Sequence, residues 1–153
     1  MGREARRKSS GHDARETPEF RSRSKTKVVR RTVSPWGKMS DKLASVAEPW
    51  TQRLGPAPSR STMTVVYEVT GLIWNASRLS EPADVASALT DIRHVLVRAL
   101  PDLPPTAVQE LLDEIFQRAR DHYSDDPRLI ARTAVEDRGG GNYHISVASM
   151  ECK

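Results

Sequence analysis

Cysteine is nearly missing from this chain. Cys152 is the single one among 153 residues, so no internal disulfide framework can form and nothing points to an oxidising compartment. Aromatic residues make up only 5% and the larger apolar class 37%, below the share usual in an all-globular chain. No apolar run approaches the roughly 18 residues of a membrane span. The first residues carry no apolar stretch of the secretory kind, so an intracellular protein is expected, cytoplasmic or, in a eukaryotic cell, nuclear.

Clustered ligands and nucleophiles are missing as well. The histidines are His12, His94, His122 and His144. None has a second histidine or a cysteine at metal-ligand spacing, so no metal is expected. No serine sits in a nucleophile elbow, and Cys152 is on a frayed end. The run Arg138 to Asn142, with three glycines inside it, lacks the lysine and hydroxyl of a phosphate-binding loop. The expectation is a non-enzymatic protein with no cofactor and no catalytic residues.

Charge is present, and it is unevenly placed. Residues 1–38 hold 12 of the 24 Lys and Arg and 4 of the 20 Asp and Glu, a net of +8, which leaves −4 on residues 39–153. The few apolar side chains of the first 38 residues cannot offset ordering entropy, so this arm is expected to be disordered alone. Arg21, Arg23, Lys25, Lys27, Arg30 and Arg31 are its densest basic cluster. Such residues neutralise phosphates without reading sequence, which makes them the expected nucleic-acid contacts. The same cluster would also serve as a nuclear-import signal. A purely solubilising or targeting tail is the competing reading, with the rest of the chain a protein-interaction adaptor.

The remainder predicts a mainly α fold: a small bundle of four to five short helices behind the disordered basic arm, with a short C-terminal β-strand. The expected divisions are the arm at 1–38, a short helix and Pro-rich linker at 39–61, a compact helical domain at 62–137, and a Gly-rich joint with a strand or tail at 138–153. Leu43, Val46, Ala47 and Trp50 fall on one helical face after Ser40, a plausible cap, and Pro49 is expected to end or kink that helix. Residues 62–79 fit both periods. Val65, Val66, Val69, Leu72, Ile73 and Ala76 form a helical stripe, whereas Met63, Val65, Tyr67 and Val69 alternate as in a strand. The length of the stripe favours the helix.

The next helix should run from Ser80 and Pro82 to about Leu100, buried through Val85, Ala88, Leu89, Ile92, Leu96 and Ala99. Another should run from a Thr106 cap to about Tyr123 through Val108, Leu111, Leu112, Ile115, Phe116 and Ala119, with Glu114 and Arg118 paired on its outer side. Asp126 and Pro127 should open a last short helix burying Leu129, Ile130 and Ala134, which the glycines at 139–141 end. Tyr143, Ile145 and Val147 alternate with His144 and Ser146 as a strand, which must pair with residues 63–69 or with a partner chain. The helical part is small enough that self-association would add useful burial.

Overall fold

The computed structural model describes residues 36–56 and 58–151. The basic cluster from Arg21 to Arg31 lies outside the described residues, and so does Cys152. By its contacts the chain divides into two units, Met1–Gly37 and Lys38–Lys153. The second unit is four helices followed by a hairpin: α1 Met39–Arg53, α2 Arg60–Ser77, α3 Pro82–Ala99, α4 Pro105–Tyr123, β1 Arg128–Gly139 and β2 Asn142–Glu151. The mainly helical class is therefore as expected.

In α1 the expected face is the buried one: Leu43, Val46, Ala47 and Trp50 are all in the core. Two expectations fail here. The helix starts from Lys38 without a side-chain cap, so Ser40 lies inside it, and it passes through Pro49 to Arg53. A proline in a helix frees the carbonyl one turn back, here that of Ser45. The Arg118 guanidinium donates to that carbonyl at 2.7 Å. The lost hydrogen bond is thus replaced from α4, and buried Pro49 adds to the core.

Residues 62–77 are helical, within α2. Ser59 caps α2, its hydroxyl accepting from the Thr62 N–H at 3.1 Å. This helix is the centre of the fold and packs against every other helix and against β1. It buries Val66, Val69, Ile73, Trp74 and Ala76. Gly71 is a close-approach position. A Cβ there would lie 3.2 Å from the Ile130 Cγ2 on β1. A helical glycine weakens the helix slightly, and here it lets strand and helix touch.

The outer helices are less buried than expected. In α3 only Ile92 and Leu96 are buried, and Ala99 is exposed. Neither α3 nor α4 has a side-chain cap; each begins on a proline, Pro82 and Pro105. That residue suits a first turn because its missing N–H would have had no helical partner. So Ser80 and Thr106 do not cap. In α4 the expected face is right: Val108, Leu111, Leu112, Ile115 and Ala119 are buried. The expected Glu114–Arg118 pair is replaced by contacts to α1, with Arg53 on Glu114 at 3.3 Å and Arg118 on Glu48 at 3.5 Å.

The largest correction follows α4. Asp126 does not cap a helix, because residues 128–139 are strand β1. β1 pairs antiparallel with β2, so the C-terminal strand finds its partner in its own sequence neighbour rather than in residues 63–69. Gly140 and Gly141 form the two-residue turn between Gly139 and Asn142, with φ of 62° and 81°. Positive φ at both positions is what a type I′ hairpin turn requires. Ile130 and Val135 on β1 are buried and Tyr143, Ile145 and Val147 on β2 are half-buried against the core, while Ala134 faces out.

Candidate functional site

The second unit has four chemically distinct features. The first is a buried ion cluster around Asp126, which is fully enclosed. One carboxylate oxygen accepts from the Arg128 backbone N–H at 3.1 Å and its Nε at 3.0 Å. The other accepts from Arg128 Nη2 at 2.8 Å and Lys42 Nζ at 2.7 Å. Burial by itself pushes the Asp126 carboxyl up, but the hydrogen bonds from Arg128 and Lys42 outweigh it and hold the group well below the usual carboxylate range. A carboxylate held by four donors is poorly placed to take a substrate proton. The cluster ties α1, the turn after α4 and the start of β1 together.

Arg78, just beyond α2, completes this knot. Its guanidinium donates to the carbonyls of Ala119 and Asp126 at 3.0 Å each and to that of Tyr123. Two of these carbonyls lie in the last turn and a half of α4, where a cation also meets the negative end of the helix dipole. Arg78 stacks 4.4 Å from the Trp74 ring. Burial lowers its pKa, opposed mainly by the Asp126 charge.

The second feature is the treatment of the outer edge of β1, which side chains of α2 occupy. Trp74 Nε1 donates to the Arg128 carbonyl at 2.8 Å. Asn75 bonds both groups of Ile130, donating to its carbonyl at 2.9 Å and accepting from its N–H at 2.7 Å. Arg60 Nε donates to the Val135 carbonyl at 3.1 Å. None of these roles is legible from spacing, because each needs the strand to be known first.

The third feature is a cavity of about 520 Å³ at the ends of the helices, bordered by Trp50, Leu54, Leu100, Leu103 and Leu111, with Arg53, Asp102 and Glu110 at its rim. The Trp50 indole N–H has no hydrogen-bond partner among the described residues. The two buried tryptophans therefore make different demands on the fold. Trp74→Phe should cost about 1–3 kcal/mol more than Trp50→Phe, because it leaves the Arg128 carbonyl without its donor. Urea unfolding of the two variants checks this, and equal losses would show that the Trp74 bond adds nothing.

The fourth is an apolar groove of about 370 Å³ bordered by Leu72, Leu79, Val95 and Leu129 over Ala88 and Ile92. Leu72 is 47% exposed, and Leu79 and Val95 41% each. Leu72, Leu79 and Val95 are thus grouped in one exposed apolar patch rather than scattered.

Among the described residues no group of three or more His, Cys, Asp or Glu is placed to hold a metal ion. No described helix is long and apolar enough to cross a membrane. The arrangement defines a class in structural terms only: a four-helix body closed by a C-terminal hairpin. No protein-family model matches the chain, and no curated protein or solved structure matches it significantly.

Proposed function

We propose that this chain is a non-enzymatic accessory or regulatory protein. Its basic arm contacts nucleic acid through Arg21, Arg23, Lys25, Lys27, Arg30 and Arg31, and its helical body mediates protein interaction or self-association. The observation that carries the reading is the charge division, +8 on residues 1–38 against −4 on the rest. A polyanion is attracted to the first part and repelled by the second. The leucine-lined groove supports a contact role for the body. The buried ionisable cluster at Asp126 is engaged in holding the fold together, which favours a binding protein over an enzyme.

The test is a fluorescence-anisotropy titration of the full chain with a labelled duplex oligonucleotide at several salt concentrations. Binding without strong sequence preference is expected. If about six phosphates are engaged, the log–log salt slope should be roughly −5. Neutralising all six residues should remove most of the binding. Absent binding, or binding that survives the six substitutions with the same slope, overturns the arm assignment. The adaptor reading, with the arm a targeting signal or solubilising tail, then stands in its place.

A further inference from the structure

The two edges of the hairpin are unequally protected. The outer edge of β1 is occupied by Arg60, Trp74 and Asn75. Among the described residues nothing bonds the outer edge of β2, and the sheet there has only two strands. We propose that this edge is a self-association surface, on which β2 of a second copy pairs antiparallel to form a four-stranded sheet across a two-fold axis. The proposal deepens the self-association half of the function above and rests on it.

The bonding pattern of β1 fixes which groups of β2 are available. Ile130 and Val135 direct backbone groups away from β2, to Asn75 and Arg60. In an antiparallel ladder the residues opposite them also point outward. Those are Ser149 and Ile145, and by alternation Tyr143 and Val147 as well. Their N–H and C=O groups form a continuous row along a strand of 10 residues. Natural edges are usually blunted by lysine, proline or a bulge. From Tyr143 to Ser149 there is no Lys, Arg or Pro.

A second copy of β2 fits this row in a definite register. With Ser146 opposite Ser146 of the second copy, Tyr143 meets Ser149 and Ile145 meets Val147, both of them outward-directed pairs. Odd-numbered residues then meet odd-numbered ones. The half-buried faces of Ile145 and Val147 continue on one side of the sheet, and helices cover that side in both copies. The register uses residues 143–149 alone and leaves out Glu151, which is already engaged.

Charge agrees with this arrangement. No like charges come opposite each other in the paired segment. On the exposed face Arg132 lies beside Ala148, and His144 beside Glu136. Pairing Ala148 with His144 of the second copy gives each row a cation at one end and an anion at the other. Small Ala134 and Ser146 occupy the axis. A strongly charged peptide would find no such complement on β2.

Sedimentation velocity of the full chain from about 1 to 100 µM tests the idea, since affinities in that range match a modest interface. Reversible dimers are expected. Ser146 is exposed, so Ser146→Lys and Ser146→Glu should leave the circular dichroism unchanged. Each should weaken dimerisation by roughly three- to tenfold, because like charges meet at the axis. An equimolar mixture of the two variants should recover association. In a Cys152→Ser background, Ser146→Cys should cross-link to itself on oxidation, since facing residues of a non-hydrogen-bonded pair are close enough for a disulfide. Ala148→Cys, placed opposite His144, should not.

A chain that stays monomeric throughout overturns the proposal. So does a dimer indifferent to both charges and not linked through position 146, which would place self-association on the helical body instead. Oligonucleotide binding by the more weakly associating Ser146→Lys and Ser146→Glu chains reads the arm separately, so the two assignments fail by different measurements.

Discussion

Asp126→Ala should be among the most damaging single substitutions in the protein, at roughly 3–5 kcal/mol. The reason is what remains after the carboxylate is gone. Arg128 is buried at 6% exposure and loses the carboxylate that accepts from its Nε and Nη2. Lys42 is less affected, because its side chain is 20% exposed and can reach water. The variant also loses the acceptor for the Arg128 backbone N–H at the point where β1 begins. Asp126→Asn keeps the shape and one carbonyl acceptor, so it should cost less than the alanine variant. Equilibrium urea unfolding ranks the two. If alanine and asparagine are equally mild, the cluster does not hold the strand in place.

The same carboxylate sets an acid limit on stability. Its folded pKa lies below the ordinary unfolded value of about 3.9. The unfolded chain therefore takes up the proton first as pH falls. Stability from this group is complete above that ordinary value and is lost progressively as pH drops below about 4. Unfolding free energy measured from pH 5 downward should fall less steeply in Asp126→Asn than in the parent chain. Parallel curves would show that the buried carboxylate is not what titrates.

Much of the helical core was legible because it follows one period. Leu43, Val46, Ala47 and Trp50 in α1, and Val108 to Ala119 in α4, recur on a single helical face, and that face is buried. β1 was illegible for a specific physical reason. Its buried residues Ile130 and Val135 are five apart, an odd spacing that an unbroken strand would put on opposite faces. The ladder shifts register between Ile130 and Arg132, and that extra residue returns both side chains to the core. A bulge removes the alternation by which a strand is recognised. With β1 hidden, Asp126 looked like a cap and the glycines like a helix terminator. The partners of the strand edge, Arg60, Trp74 and Asn75, were hidden with it. Pro49 failed in the opposite way: the local rule was right, but Arg118 from another helix supplied the missing hydrogen bond.

The second large effect belongs to α4, where sequence and structure agree on the face. Leu112 and Ile115 are fully buried and belong to the main core. They lie three apart on the helix and so point to the same side, toward the interior. Replacing either by alanine removes packed methyl groups and leaves a void that rigid neighbours fill only in part. Each should cost about 2–5 kcal/mol. Asp113 and Gln117 alternate with them along the chain and are exposed. Each makes one hydrogen bond along the helix surface, Gln109 to Asp113 at 2.9 Å and Gln117 to Asp121 at 2.8 Å. Such i, i+4 pairs stabilise a helix by only about 0.2–0.5 kcal/mol, and alanine returns part of that through its higher helix propensity. Asp113→Ala and Gln117→Ala should therefore stay under about 0.5 kcal/mol. Four urea melts with an unchanged denaturant slope decide the matter. A loss at Asp113 or Gln117 comparable to that at Leu112 or Ile115 would mean that the outer face of α4 is itself covered, by a partner or a second copy, under the conditions of the measurement.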